Sequence, residues 1–128
     1  MAKLEAHSAA GYAVRMTAGS HALSSDEPVS AGGGDTGPAP YDLLLAGLAA
    51  CTSITLRMYA DRKGWPLGQI DVDVRFLRDA HGAEKVERRI SFSETLSEEQ
   101  RARLAEISEK TPVTKTLKQG LTILTTVS

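Results

Sequence analysis

The chain has 128 residues, 41% hydrophobic and 24% charged, which suits one globular domain (1–128) burying roughly two-thirds of its unfolded surface. Its 15 basic and 16 acidic side chains leave a net charge of -1, with no basic cluster and only 5% aromatic residues, so a nucleic-acid partner is not expected. A lone cysteine excludes an internal disulfide framework, and the opening "MAKLEAHSAAG" lacks the basic-then-apolar layout of a secretion leader, so a reduced, cytoplasmic protein is expected.

In chain order, "GYAVRMTAG" (Gly11 to Gly19) predicts a strand, and "HALSSDEPVSAGGGDTGPAP" (His21 to Pro40) a hairpin arm followed by a loop rich in Gly and Pro. A long helix should run from Tyr41 to about Lys63, where "KGWP" supplies Gly64 as the residue after the C-cap and Pro66 as a stop. Its first half is apolar on every side and calls for cover from other elements. The longest apolar run, Leu43 to Cys51, falls well short of the ~20 residues needed to cross a bilayer, so no membrane partner is expected.

"QIDVDVRF" (Gln69 to Phe76) alternates as a half-buried strand, "RDAHGAE" is a turn, and "KVERRISFSETL" is the antiparallel partner. Ser97 and Gln100 have capping-box spacing at the head of "SEEQRARLAEISEK", a surface helix with Leu104 and Ile107 as its apolar stripe. "TPVTKTLKQG" places Thr111 as N-cap and Pro112 at the first position of a short helix ending near Gly120. The β-branched "LTILTTV" is expected to form a last strand. The order is that of an α+β fold.

Several motifs have structural readings. "GGGDTG" satisfies G-x-G-x-x-G, yet Pro38 and Pro40 separate it from the helix and no acidic strand end follows at the required distance, so a loop whose glycines permit close packing is preferred to a dinucleotide site. His7, His21 and His81 lack metal-ligand spacing, and neither metal nor cofactor is expected. Trp65 reads as a core plug, and "RMYADRK" as a solvated helix end from which Arg57 could reach a dimer-related site. The helix interior around Cys51 favours an inert thiol, because desolvation raises a thiol's pKa above ~8.5.

"DEPVSAGGGDTGPAPYDLLLAGLAACTSITLRMYADRKGWPL", followed by "TPVTKTL", resembles the OsmC/Ohr family of osmotically induced and organic-hydroperoxide-resistance proteins. The resemblance implies an OsmC-like α+β fold in which antiparallel sheet wraps a long central helix, with two chains intertwined as a homodimer. It also implies that Cys51 stands at the peroxidatic position, where a peroxide oxidises the thiol to a sulfenic acid. The second family cysteine, in a "C-P-V" context, is replaced by Thr111, so the internal resolving thiol is lost. The family's glutamate position is taken by Tyr41, with Asp42 beside it as the nearest carboxylate. No arginine lies between Arg15 and Arg57 to stand where the family's supporting arginine does, and His21 falls near that arm. The family position thus sets a reactive Cys51 against the inert reading.

Two functions follow. One is a one-cysteine, thiol-dependent peroxidase that reduces organic hydroperoxides through Cys51, with an external thiol reductant as resolver. The other is a non-catalytic OsmC-like dimer that binds a small hydrophobic ligand at its interface.

Overall fold

The computed structural model describes residues 2–128 and divides into two compact units, residues 1–46 and 47–128. The first unit is a three-stranded antiparallel sheet in the order β1 (Glu5–His7), β2 (Val14–Ala18), β3 (His21–Ser25). The β2–β3 pair runs from Val14 opposite Ser25 to Ala18 opposite His21, turning at Gly19 with a left-handed φ of 60°. The short strand β1 was not anticipated; its three residues pair with Arg15 to Thr17.

After β3 the chain makes a 3-10 turn at Val29–Ala31 and a loop tied by one carboxylate. Asp26 is buried and accepts from the backbone amides of Glu27 (2.7 Å), Gly34 (3.2 Å) and Thr36 (3.1 Å) and from the Thr36 hydroxyl (2.7 Å). The Thr36 hydroxyl, followed by the Thr36 and Glu27 amides, holds its carboxyl below the usual carboxylate range. At Gly33 a Cβ would stand 2.0 Å from the Glu27 carbonyl oxygen, so only glycine fits. Gly33 and Gly34 of "GGGDTG" therefore serve close packing around Asp26, and Gly37 close packing on Ser24.

Helix α1 (Pro40–Lys63) begins in the first unit and continues through the second. Asp42 accepts from the Ala39 amide at 3.0 Å, satisfying a donor at the helix head. Gly64 ends the helix with φ 71°, and the Trp65 amide bonds back to the Ala60 carbonyl at 2.9 Å, as the "KGWP" signal predicts.

In the second unit, β4 (Ile70–Arg78) and β5 (Glu84–Phe92) form a hairpin in register from Ile70 opposite Phe92 to Arg78 opposite Glu84. Asp79 organises its turn by accepting from the His81 and Ala83 amides. Helix α2 (Glu98–Ser108) carries the expected capping box, with Ser97 and Gln100 each bonding the other's backbone amide. Helix α3 (Pro112–Gln119) starts at its Thr111 cap. The core of this unit is Leu56 and Ala60 of α1, Leu67, and Leu104 of α2. Ile90 and Phe92 of β5 and Trp65 pack against it, with Trp65 meeting Tyr59 edge-on at 5.6 Å.

One expectation fails within this chain, and the full cover that α1 calls for is not supplied by the single chain. "LTILTTV" forms no strand: residues 120–128 have no regular structure, and Leu124 is 91% exposed. A β-branched segment becomes a strand only when its backbone finds an edge to pair with, and among the described residues it finds none. Cover of α1 is partial. The helix buries only the stripe Leu48, Thr52, Leu56, Ala60, and Leu44 and Ile54 remain exposed. Taken whole, α1 is long and apolar enough by length and composition to span a bilayer, a test that the core helix of a soluble fold also passes, and no charged residue falls between Asp42 and Arg57.

Candidate functional site

Cys51 is half-buried, and its sulfur contacts the Thr55 hydroxyl at 3.8 Å. It sits on a second face of α1, with Leu44, Gly47, Ile54 and Met58 at the spacing of a heptad seam. That face is apolar and open: Ile54 is 53% and Met58 59% exposed, and a Cβ at Gly47 would meet empty space. A half-exposed thiol on an apolar helix face is accessible to a small apolar oxidant without being fully hydrated.

One residue along, Thr52 points to the opposite side and is fully buried. Its hydroxyl donates to the Leu48 carbonyl at 2.7 Å, a back-bond that removes a lone polar group from the core. The same oxygen accepts from Arg88 Nη1 at 2.9 Å. Arg88 also donates to the Thr114 hydroxyl at 2.9 Å and, through Nη2, to the Ser108 carbonyl at 2.9 Å. The Thr114 hydroxyl lies 2.6 Å from that of Thr111. One guanidinium thus binds α1, the end of α2 and the start of α3.

Thr111 is completely buried. Its oxygen accepts from the Thr114 amide at 3.3 Å, making it the N-cap of α3 as expected. Past Ser108, Glu109 has one carboxylate oxygen 3.7 Å from Arg88 Nη2 and the other hydrogen-bonded by Lys118. The Lys118 hydrogen bond, with the Arg88 charge behind it, keeps the Glu109 carboxyl below the usual range.

The remaining sequence candidates are dispersed. Asp42 is exposed and engaged at the head of α1. Arg15 is exposed on β2 and His21 on β3, both in the first unit. Within the second unit, no hydrogen bond joins Thr111 to Cys51 among the described residues. Arg57 donates to the Gly68 carbonyl at 2.6 Å, closing the loop after α1. Among the described residues no group of three acidic, histidine or cysteine side chains could hold a metal ion.

Arg88 was missed by sequence reasoning. The signal was present: Arg88 falls in phase with Val86, Ile90 and Phe92, the apolar face of β5, and a basic residue on an inward face must find partners.

Comparison with known proteins follows from this geometry. The family model described as OsmC-like protein matches residues 32–126. Among curated proteins no sequence matches. A solved structure of a putative osmotic stress induced and detoxification response protein from Psychrobacter arcticus is 18% identical over 91% of this chain and 88% of its own, with a TM-score of 0.79. An OsmC-like protein from Mycoplasma pneumoniae is 20% identical, with coverages of 92% and 87% and a TM-score of 0.74. The organic hydroperoxide resistance protein OhrB of Bacillus subtilis is 25% identical, with coverages of 92% and 90% and a TM-score of 0.64.

Proposed function

The chain belongs to the OsmC-like protein family, and from that premise we propose that it is a cytoplasmic, homodimeric, one-cysteine peroxidase for organic hydroperoxides. The observation that carries this reading is the setting of Cys51, a half-buried thiol on an open apolar face, together with the organic hydroperoxide resistance proteins among the structural neighbours.

The chemistry balances with an external thiol. The Cys51 thiolate attacks one peroxide oxygen, the O–O bond breaks, and the alcohol leaves after taking a proton, with sulfur oxidised to the sulfenic acid. An external thiol then condenses with the sulfenic acid, releasing water and forming a mixed disulfide. A second external thiol attacks that disulfide and restores Cys51. Thr111 has no thiol to give, and its hydroxyl is occupied as a helix cap.

The uncovered heptad-like face supports the dimer. Leu44, Ile54 and Met58 would pack against a second copy, with Gly47, which has open space around it, leaving room for a small peroxide beside Cys51, and the tail 121–127 would find a sheet edge there. Burying both requires an interface above ~2,000 Å² in total, the size of an obligate one.

The replacement of the family's second cysteine by Thr111 favours a second reading, in which the same dimer binds a small hydrophobic molecule at its interface without chemistry. Peroxide treatment separates the two. In the peroxidase reading, native protein consumes one equivalent of cumene hydroperoxide per chain and becomes labelled by dimedone, and Cys51→Ser abolishes both. A native thiol that stays reduced in excess hydroperoxide, while the unfolded chain reacts, leaves the binding reading standing.

A further inference from the structure

The second unit contains a groove of about 880 Å³ that Cys51 does not line. Pockets of roughly 300–1,000 Å³ hold small ligands, typically through an apolar lining with a few convergent polar groups. Its accessible apolar surface is Phe76, Val86, Ile90 and Phe92 of the hairpin with Leu117 of α3, and the buried Leu48, Leu56 and Leu104 lie beneath. The polar lining is concentrated: Arg88, Ser108, Thr114, Glu109 and Lys118 all line the groove and are linked to one another.

The charges of this cluster do not cancel. The acceptors within hydrogen-bond distance of Arg88 are neutral, two threonine hydroxyls and a carbonyl. The neighbouring carboxylate, Glu109, stands 3.7 Å away and is already bonded to Lys118. Two cations therefore share one anion, and the Arg88 side chain is only 11% exposed, so water compensates its charge poorly. Two further charged residues of the groove have partners elsewhere, Glu84 with Arg78 and Lys85 with Glu87, whereas Glu94 and Arg101 add one charge of each sign.

We propose that this groove binds an amphipathic alkyl carboxylate, its chain lying on Phe76, Ile90 and Phe92 and its carboxylate received between Arg88 and Lys118. An uncharged alkyl ligand would cover the apolar surface and leave the excess positive charge unanswered. An alkyl cation would add to that charge. The inference goes beyond the thiol chemistry, because no step of it uses Cys51.

Calorimetric titration of decanoate, decanol and decyltrimethylammonium into the native protein tests it. Decanoate should bind once per chain, decanol about tenfold more weakly, as expected for loss of a charge-assisted hydrogen bond, and the cation should not saturate. Lys118→Glu, at an exposed position, should weaken decanoate about tenfold and leave decanol unchanged. Leu117→Trp, which fills the mouth, should weaken both. Cys51→Ser should bind decanoate as the native protein does, so a failure of the peroxidase reading leaves this result untouched. Equal affinity for decanoate and decanol, indifference to Lys118→Glu, loss of binding in Cys51→Ser, or no binding of decanoate by the folded protein would each overturn the proposal.

Discussion

The Arg88 guanidinium meets the Thr52 hydroxyl at 2.9 Å, joining the inward face of β5 to α1 at the residue next to Cys51. This bond is one of three through which Arg88 serves buried oxygens on three helices. Arg88→Met should therefore take the guanidinium donor from all three oxygens, leaving the Ser108 carbonyl only the 3.3 Å bond from the Thr114 hydroxyl, and destabilise the protein by about 3–5 kcal/mol, in the range for breaking a buried charged network. Arg88→Lys keeps the charge but not the planar fork, and about 1–2 kcal/mol is expected. Urea unfolding of the three proteins gives the order; equal midpoints for native protein and Arg88→Met would show that the network holds nothing together.

The open face of α1 leads to a second expectation. Ile54→Asp places a carboxylate in the seam with Cys51 and Met58, where a partner chain is proposed to pack. Dimer association should weaken by at least ~2 kcal/mol, the scale of an interface hot spot. Sedimentation at micromolar concentration should give a dimer for the native chain and a smaller mass for the variant. A native mass of one chain would remove the dimer itself.

Acid sensitivity should map onto the Asp26 loop. The carboxyl of Asp26 is held below its ordinary range by the Thr36 hydroxyl and by backbone amides, so folding favours its ionised form. That contribution is present above the unfolded carboxylate pKa and is lost as pH falls through the lower folded value. Asp26→Asn should accordingly be less stable than the native protein at neutral pH, with the gap narrowing in acid. Thermal melts from neutral to strongly acid pH read this directly, and a gap that stays constant would assign the loop's order to something other than the charge.

What could be read from the residues divides by range. The end of α1 at Gly64, the Ser97–Gln100 box and the Thr111 cap are local, each decided by backbone donors and acceptors a few positions away, and they stand where the sequence puts them. The alternation of β4 likewise specifies its hairpin. Arg88 escaped because its partners lie 20 to 36 residues away; the phase it shares with Val86, Ile90 and Phe92 sets it apart from its exposed neighbour Arg89 but does not name those partners. The strand expected at "LTILTTV" failed for the converse reason: β-propensity describes a segment's fitness for a ladder, and the edge must come from elsewhere. Cys51 was legible as a position, whereas its Thr55 contact and its half-buried setting required coordinates.

The last prediction turns on position 111. Thr111 is fully buried, caps α3 and shares a 2.6 Å contact with Thr114. Thr111→Cys should cost about 1 kcal/mol through the lost cap, a loss the fold can bear. The new thiol would stand at the positive end of α3, where ionisation is favoured, at the position that the family resemblance implies for a second cysteine. After one equivalent of hydroperoxide, the sulfenic acid at Cys51 should condense with it, releasing water and forming an intramolecular disulfide. The native protein, with no internal thiol, should instead pass to sulfinic acid over repeated peroxide cycles unless an external thiol intercepts it. The variant should therefore resist overoxidation and turn over with a dithiol. Mass spectrometry of the treated variant decides the matter: two free thiols, or a disulfide only between different molecules, would mean that residues 51 and 111 do not come within reach of each other and that Thr111 is a structural cap with no chemical ancestry at that place.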